Sequence, residues 1–156
     1  MHGPNPTALA VAALVVVSLA VGVWFFLLRG ADAATGEFLT AHDRVVAAER
    51  AAEAAAGGVQ RFLELPRYEA LVNDQISVME RQDAIFLRLA RQEDGERAQL
   101  AAQASHQTQL VIMAAGDYRE SLTHTYRLSD TAVATTDMRG GVTAIDRLAA
   151  EWKRLQ

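Results

Sequence analysis

The alternation of apolar and polar positions divides this chain into one unbroken hydrophobic run and four periodic segments. From Ala8 to Leu28, 21 consecutive residues carry no charge, and thirteen of them are Leu, Val or Phe. At about 1.5 Å per helical residue the run spans roughly 31 Å, the thickness of a bilayer's hydrocarbon core. Each Leu, Val or Phe favours insertion by about 0.3–0.6 kcal/mol, so the sum is several kcal/mol toward lipid. The pattern predicts a single transmembrane anchor over residues 8–29, preceded by a short polar tail, residues 1–7.

A cleaved signal peptide is the competing reading. Such peptides carry a basic leader and an apolar stretch of only about 7–15 residues. Met1–Thr7 contains no Lys or Arg, although a cleavage-like Ala31-Asp32-Ala33 lies just past the run. Trp24, Phe25 and Arg29 sit at the C-terminal end of the span, where aromatic rings favour the headgroup level and an arginine snorkels to it, so they form the expected membrane interface. Arg29 and Arg44 lie after the span and no basic residue lies before it, which by the positive-inside rule directs the remaining domain to the cytoplasmic face of a cell membrane. Anchors near an N-terminus also commonly export the domain attached to them, so the side stays open.

Beyond the anchor the period changes to that of packed helices. Phe38, Val45, Ala52 and Val59 recur every seven residues, with Ala41, Ala48, Ala55 and Phe62 three residues after each. This is a sustained seam, predicting a helix over about 35–63 that ends before Pro66, since proline disfavours the helical conformation of its predecessor. Tyr68, Val72, Met79, Phe86 and Leu89 line a second helix, 67–92, closed by Asp94-Gly95. Leu100, Ala104, Val111, Ala114, Tyr118 and Leu122 mark a third, 96–128. Ser129 or Asp130 caps a fourth, 131–155, with the stripe Met138, Val142, Ile145, Ala149 and Trp152. No segment alternates as a strand does. The fold class expected for residues 30–156 is all-α, an antiparallel four-helix bundle behind a single N-terminal transmembrane helix.

Two glycine pairs interrupt the scheme. Gly57-Gly58 and Gly140-Gly141 each cost about 1 kcal/mol per residue inside a helix. They read either as a kink or close helix contact, or as hinges. A rival topology runs the third helix on to Gly140-Gly141 and leaves only a short fourth.

Composition narrows function more than it names one. All 15 basic and 19 acidic residues lie beyond the anchor run, a charge level typical of a globular domain. The net charge of −4 with no basic run argues against nucleic acid as a partner. Cysteine is absent, which removes disulfides, thiolate metal sites and cysteine nucleophiles. Neither the Glu-x-x-His of di-iron bundles nor His-Glu-x-x-His occurs, so no metal and no cofactor is expected. His106 and His124 share a helix face but lie roughly 27 Å apart along it, and that face is the solvated one. His42 falls at the edge of the first stripe, beside Glu49. No phosphate-binding loop, nucleophile elbow or paired-carboxylate signature is present, so no catalytic residue is assigned and the chain reads as non-enzymatic.

The polar residues on apolar stripes are the remaining candidates. Gln75 and Gln82 fall on the apolar arc of the second helix and Gln107 on that of the third. A buried amide needs partners, so these residues either fix helix register or oligomeric state, or line a pocket for a small ligand. The leading expectation is an interaction or scaffolding module that meets the lipid bilayer through its anchor and a protein partner, or itself, through its heptad seams. The layout of anchor plus four helices also resembles the sensor half of a bacterial chemoreceptor or histidine kinase, which implies a ligand-binding module that signals through a separate partner. In organisation it is similar to the b subunit of a rotary ATP synthase, a stalk-like accessory subunit of a membrane complex. Pro66 and Gly95 interrupt the long single helix that a stalk requires.

Overall fold

The structure, a computed structural model, describes residues 33–55, 65–123 and 128–155. The anchor run Ala8–Leu28 with Trp24, Phe25 and Arg29, the pair Gly57-Gly58, and His124 lie outside the described residues. Among the described residues no helix is long and apolar enough to cross a membrane. The chain divides into two compact units, Met1–Ala34 and Thr35–Gln156, and the second carries the bundle.

The described residues are all-α. Helix α1 covers 33–55, α2 Leu65–Gln92, α3 Gly95–Thr123 and α4 Leu128–Arg154. The helices begin earlier than the sequence pattern suggests. Pro66 is the second residue of α2 instead of a break ahead of it, because the first helical turn tolerates a residue without an N–H. Ser129 and Asp130 fall inside the first turn of α4, where Asp130 complements the helix dipole. Gly95 takes φ +60°, the left-handed conformation that only glycine adopts freely, and turns the chain between α2 and α3. The rival topology is excluded, since α3 is described to Thr123 and α4 runs unbroken through Gly140 and Gly141.

Neighbouring helices pack antiparallel. Across α1 and α4, Thr35 meets Trp152, His42 meets Asp146, and Glu53 meets Arg139. Across α2 and α3, Asn73 meets Arg119 and Asp83 meets Ser105. In each pair of helices the numbers rise on one member as they fall on the other. Helix α3 lies between α2 and α4, and α1 closes the bundle against both of those helices.

Most of the stripe positions read from the sequence form the core, while Ala55 and Tyr68 are half-buried and Val59 and Phe62 lie outside the described residues. Phe38, Ala41, Val45, Ala48 and Ala52 of α1 are buried, as are Val72, Met79, Phe86 and Leu89 of α2. The third and fourth stripes, from Leu100 to Leu122 and from Met138 to Trp152, are buried at every stripe position. At one end of the bundle Trp152 stacks on Phe38 with ring centroids 4.2 Å apart, and Phe38 tilts against Phe86 at 5.0 Å. The indole N–H of Trp152 donates to Thr35 Oγ1 at 3.1 Å, and the Arg97 guanidinium lies 5.6 Å above its ring. Each such contact adds about 0.5–1.5 kcal/mol to the area already buried.

Candidate functional site

Two regions of the bundle depart from plain core packing, and α4 borders both. The first is the seam between α1 and α4. Arg139 grips the Glu53 carboxylate with two donors, Nε at 2.7 Å and Nη2 at 2.9 Å. One turn before Glu53, Glu49 is buried at 4% exposure. Its pKa is pushed up to about 7, first by burial, then by repulsion from and hydrogen bonding to Glu53, against the opposing pull of Arg139 and Arg50. Two carboxyl groups that hydrogen-bond need a proton between them, so the Glu49 carboxyl donates to a Glu53 carboxylate already held by Arg139. The Glu53 carboxylate in turn raises the Arg139 pKa. The other Glu49 oxygen, Oε1, is buried without a partner. Lower in the same seam, His42 Nε2 lies 2.6 Å from Asp146 Oδ1, and Nδ1 lies 2.8 Å from Asp43 Oδ1.

The second region is the seam between α3 and α4. Gly141 lets these helices approach closely, since a Cβ placed there would meet Val111 Cγ2 at 2.5 Å. Above this contact the outer surfaces of the two helices form a shallow trough. One hollow of about 580 Å³ lies among Gln103, His106, Gln107, Ala144, Arg147 and Leu148. A second of about 490 Å³ is lined by Leu110, Met113, Asp117, Asp137 and Gly140, and Gln107 joins the two. Leu110, Met113 and Val133 are 42%, 65% and 60% exposed on this face, an unusual grouping of large apolar side chains in water.

The glutamines do not converge. Gln82 is buried, donating from Nε2 to Val78 O of its own helix at 3.3 Å while its Oε1 has no partner. Gln75 is half-buried on α2, and Gln107 is half-buried where the two hollows meet. His106 is exposed at the trough's edge. Gly140 is open to solvent, whereas its neighbour Gly141 is enclosed. Among the described residues no group of acidic and histidine side chains is placed to hold a metal ion.

The sequence pattern missed Glu49. The signal was available: Glu49 lies between the core alanines Ala48 and Ala52, and Glu53 comes four residues later. Like charges at that spacing repel on a free helix, so a glutamate flanked by core alanines and four residues from another is a candidate to hold a proton. Comparison with protein-family models, curated proteins and solved structures finds no match for this chain.

Proposed function

We propose that this chain is a membrane-tethered helical bundle acting as a non-enzymatic protein-interaction module. The observation that carries the reading is the trough over α3 and α4, where Leu110, Met113 and Val133 stand exposed along one continuous face. Apolar side chains so grouped lose free energy in water and regain it against a partner, at about 25 cal/mol per Å² covered. The tether is Ala8–Leu28, whose length and lack of charge suit a bilayer. The non-enzymatic part rests on the sequence, which lacks the residue spacings that nucleophilic, metal-assisted or phosphoryl-transfer chemistry requires. The bundle sits on the cytoplasmic face in this reading, in accord with Arg29 and Arg44.

The experiment uses the full chain in native membranes. Alkaline carbonate extraction leaves the protein in the membrane fraction, and mild detergent releases it in a complex larger than one chain. Leu110→Asp combined with Val133→Asp reduces that complex to single chains while circular dichroism stays helical. Release by carbonate removes the tether, and a single-chain species before mutation removes the interaction role.

A second reading draws on Gln103, Gln107 and Arg147, which give the larger hollow polar groups able to fix a small ligand. A ligand-binding role predicts thermal stabilisation by some member of a metabolite panel, lost in Gln107→Leu.

A further inference from the structure

The centre of the trough, Asp137 to Arg147 on α4 and His106 to Asp117 on α3, is palindromic, whereas outside it Val133 mirrors Glu151 and Thr136 mirrors Leu148. On α3, His106 and Asp117 bracket Leu110 and Met113, and both pairs are centred midway between Val111 and Ile112. On α4, Asp137 and Arg147 bracket Gly140 and Ala144, and both pairs are centred on Val142. Val111 touches the Gly141 position, so on these antiparallel helices the two midpoints lie within about 2–3 Å of one height. All of these side chains face the trough. Asp117, Asp137, His106 and Arg147 make no ion pair or hydrogen bond among the described residues. The neighbouring seams differ, since Arg139, Arg88, Arg119 and Asp83 all find partners inside the bundle.

We propose that the occupant of this trough is a second copy of the same chain, related by a two-fold axis that crosses the face at the height of Val142. The two copies lie antiparallel, α3 upon α3 and α4 upon α4, in an isologous contact. Arg147 of each copy meets Asp137 of the other, and His106 of each meets Asp117 of the other. Between these polar pairs, Leu110 packs on Met113, and the open Gly140 receives Ala144, so the two α4 backbones approach closely. The charge pattern selects this arrangement. A parallel pair would lay α3 on α4 at equal height, setting Asp117 beside Asp137 and His106 beside Arg147, like against like. In the antiparallel pair every one of these groups faces a complement.

This inference deepens the interaction reading and rests on it. From Val133 to Glu151 the face is roughly 27 Å long, and two adjacent helices make it about 20 Å wide. Each copy therefore covers on the order of 500 Å², near the lower bound for a specific interface. The pair is concentration-dependent, and confinement to one membrane surface favours it. The Thr35 ends of the two copies point in opposite directions.

The chain has no cysteine, so introduced thiols report on their own positions. Full-length Asp137→Cys and Arg147→Cys proteins, distinguished by a size tag, are mixed in detergent micelles and oxidised. The expected product is the mixed disulfide dimer, with neither variant joining to itself, because equal positions lie about 15 Å apart along the paired helices. Asp137→Arg and Arg147→Asp each lower the dimer fraction about tenfold, and mixing these two variants restores it, since both charge pairs re-form between unlike chains. Cross-linking of Asp117→Cys with Asp137→Cys instead, or no cross-link in any combination, overturns the proposal. Loss of self-pairing while the larger native complex survives would leave the interaction module standing with a different protein on its trough.

Discussion

Helix α4 meets α1 and α3 by opposite means. Toward α1 it reaches out with long polar side chains, Arg139 to Glu53 and Asp146 to His42, and caps the seam with Trp152 stacked on Phe38. Toward α3 it withdraws, presenting Gly141 so that Val111 can press against bare backbone. The polar seam satisfies its charges internally. The glycine seam leaves its bordering charges, Arg147 and Asp137, facing outward on a surface with exposed leucine, methionine and valine. Charge that is clasped within a bundle serves the fold, while charge framing an apolar trough is available to a partner.

The comparison breaks most visibly at the aromatic end of the polar seam. Trp152→Ala removes a side chain with no solvent exposure that touches Phe38, Thr35 and Arg97. The expected loss is about 3–5 kcal/mol, the usual cost of deleting a large buried aromatic. Chemical denaturation of the full chain in micelles measures it. A loss below about 1 kcal/mol would mean that α1 and α4 are not joined through this stack.

Glu49 supplies the next effect, and it depends on pH. Its folded pKa is raised from 4.5 to about 7, so the folded state holds the proton more tightly than the unfolded one. The stabilisation is complete below pH 4.5, falls as pH rises, and is gone above about 7, a change of about 3 kcal/mol at most. Glu49→Gln keeps the shape and the donor to Glu53 but cannot ionise. The variant matches the parent near pH 4.5 and is the more stable protein at about pH 8. Melting curves across that range test it, and parallel profiles for the two proteins would refute a buried proton in the α1–α4 seam.

These two residues also mark how far sequence reasoning reached. Trp152 was legible because burial of an apolar residue results from its angle on its own helix, and the heptad spacing fixes that angle. The same rule placed every stripe position of α3 and α4, and most of those described on α1 and α2, in the core. Glu49 was not legible in this way, because its state depends on Arg139, 90 residues later, and on Glu53 being clasped. The glutamines show the same limit. The apolar arcs of two helices placed Gln75 and Gln82 of α2 and Gln107 of α3 toward the core in expectation, but only Gln82 is buried, and Gln107 opens onto the trough. Angle tells which face a side chain occupies, and only the packed neighbour tells what meets it there. The palindrome of the trough is written in the sequence, yet it has no meaning until Val111 and Gly141 set the heights of α3 and α4 against each other.

The smallest expected effect tests the glycine seam directly, because two adjacent glycines should respond with opposite sign. In dilute, unpaired chains Gly140→Ala adds a methyl with nothing within 4 Å, so the gain in helix propensity stabilises the bundle by about 0.5–1 kcal/mol. Gly141→Ala gains the same propensity but drives its methyl to 2.5 Å from Val111 Cγ2. A valine in a helix has one favoured rotamer and cannot swing aside, so the helices must separate, at a net cost of about 1–3 kcal/mol. Val111→Ala in the Gly141→Ala background returns the space and recovers much of that loss, although Val111→Ala alone destabilises. Thermal melts of the four proteins decide the matter. If both alanine substitutions raise Tm, α3 and α4 stand farther apart than the contact requires, and the two seams of α4 are alike after all.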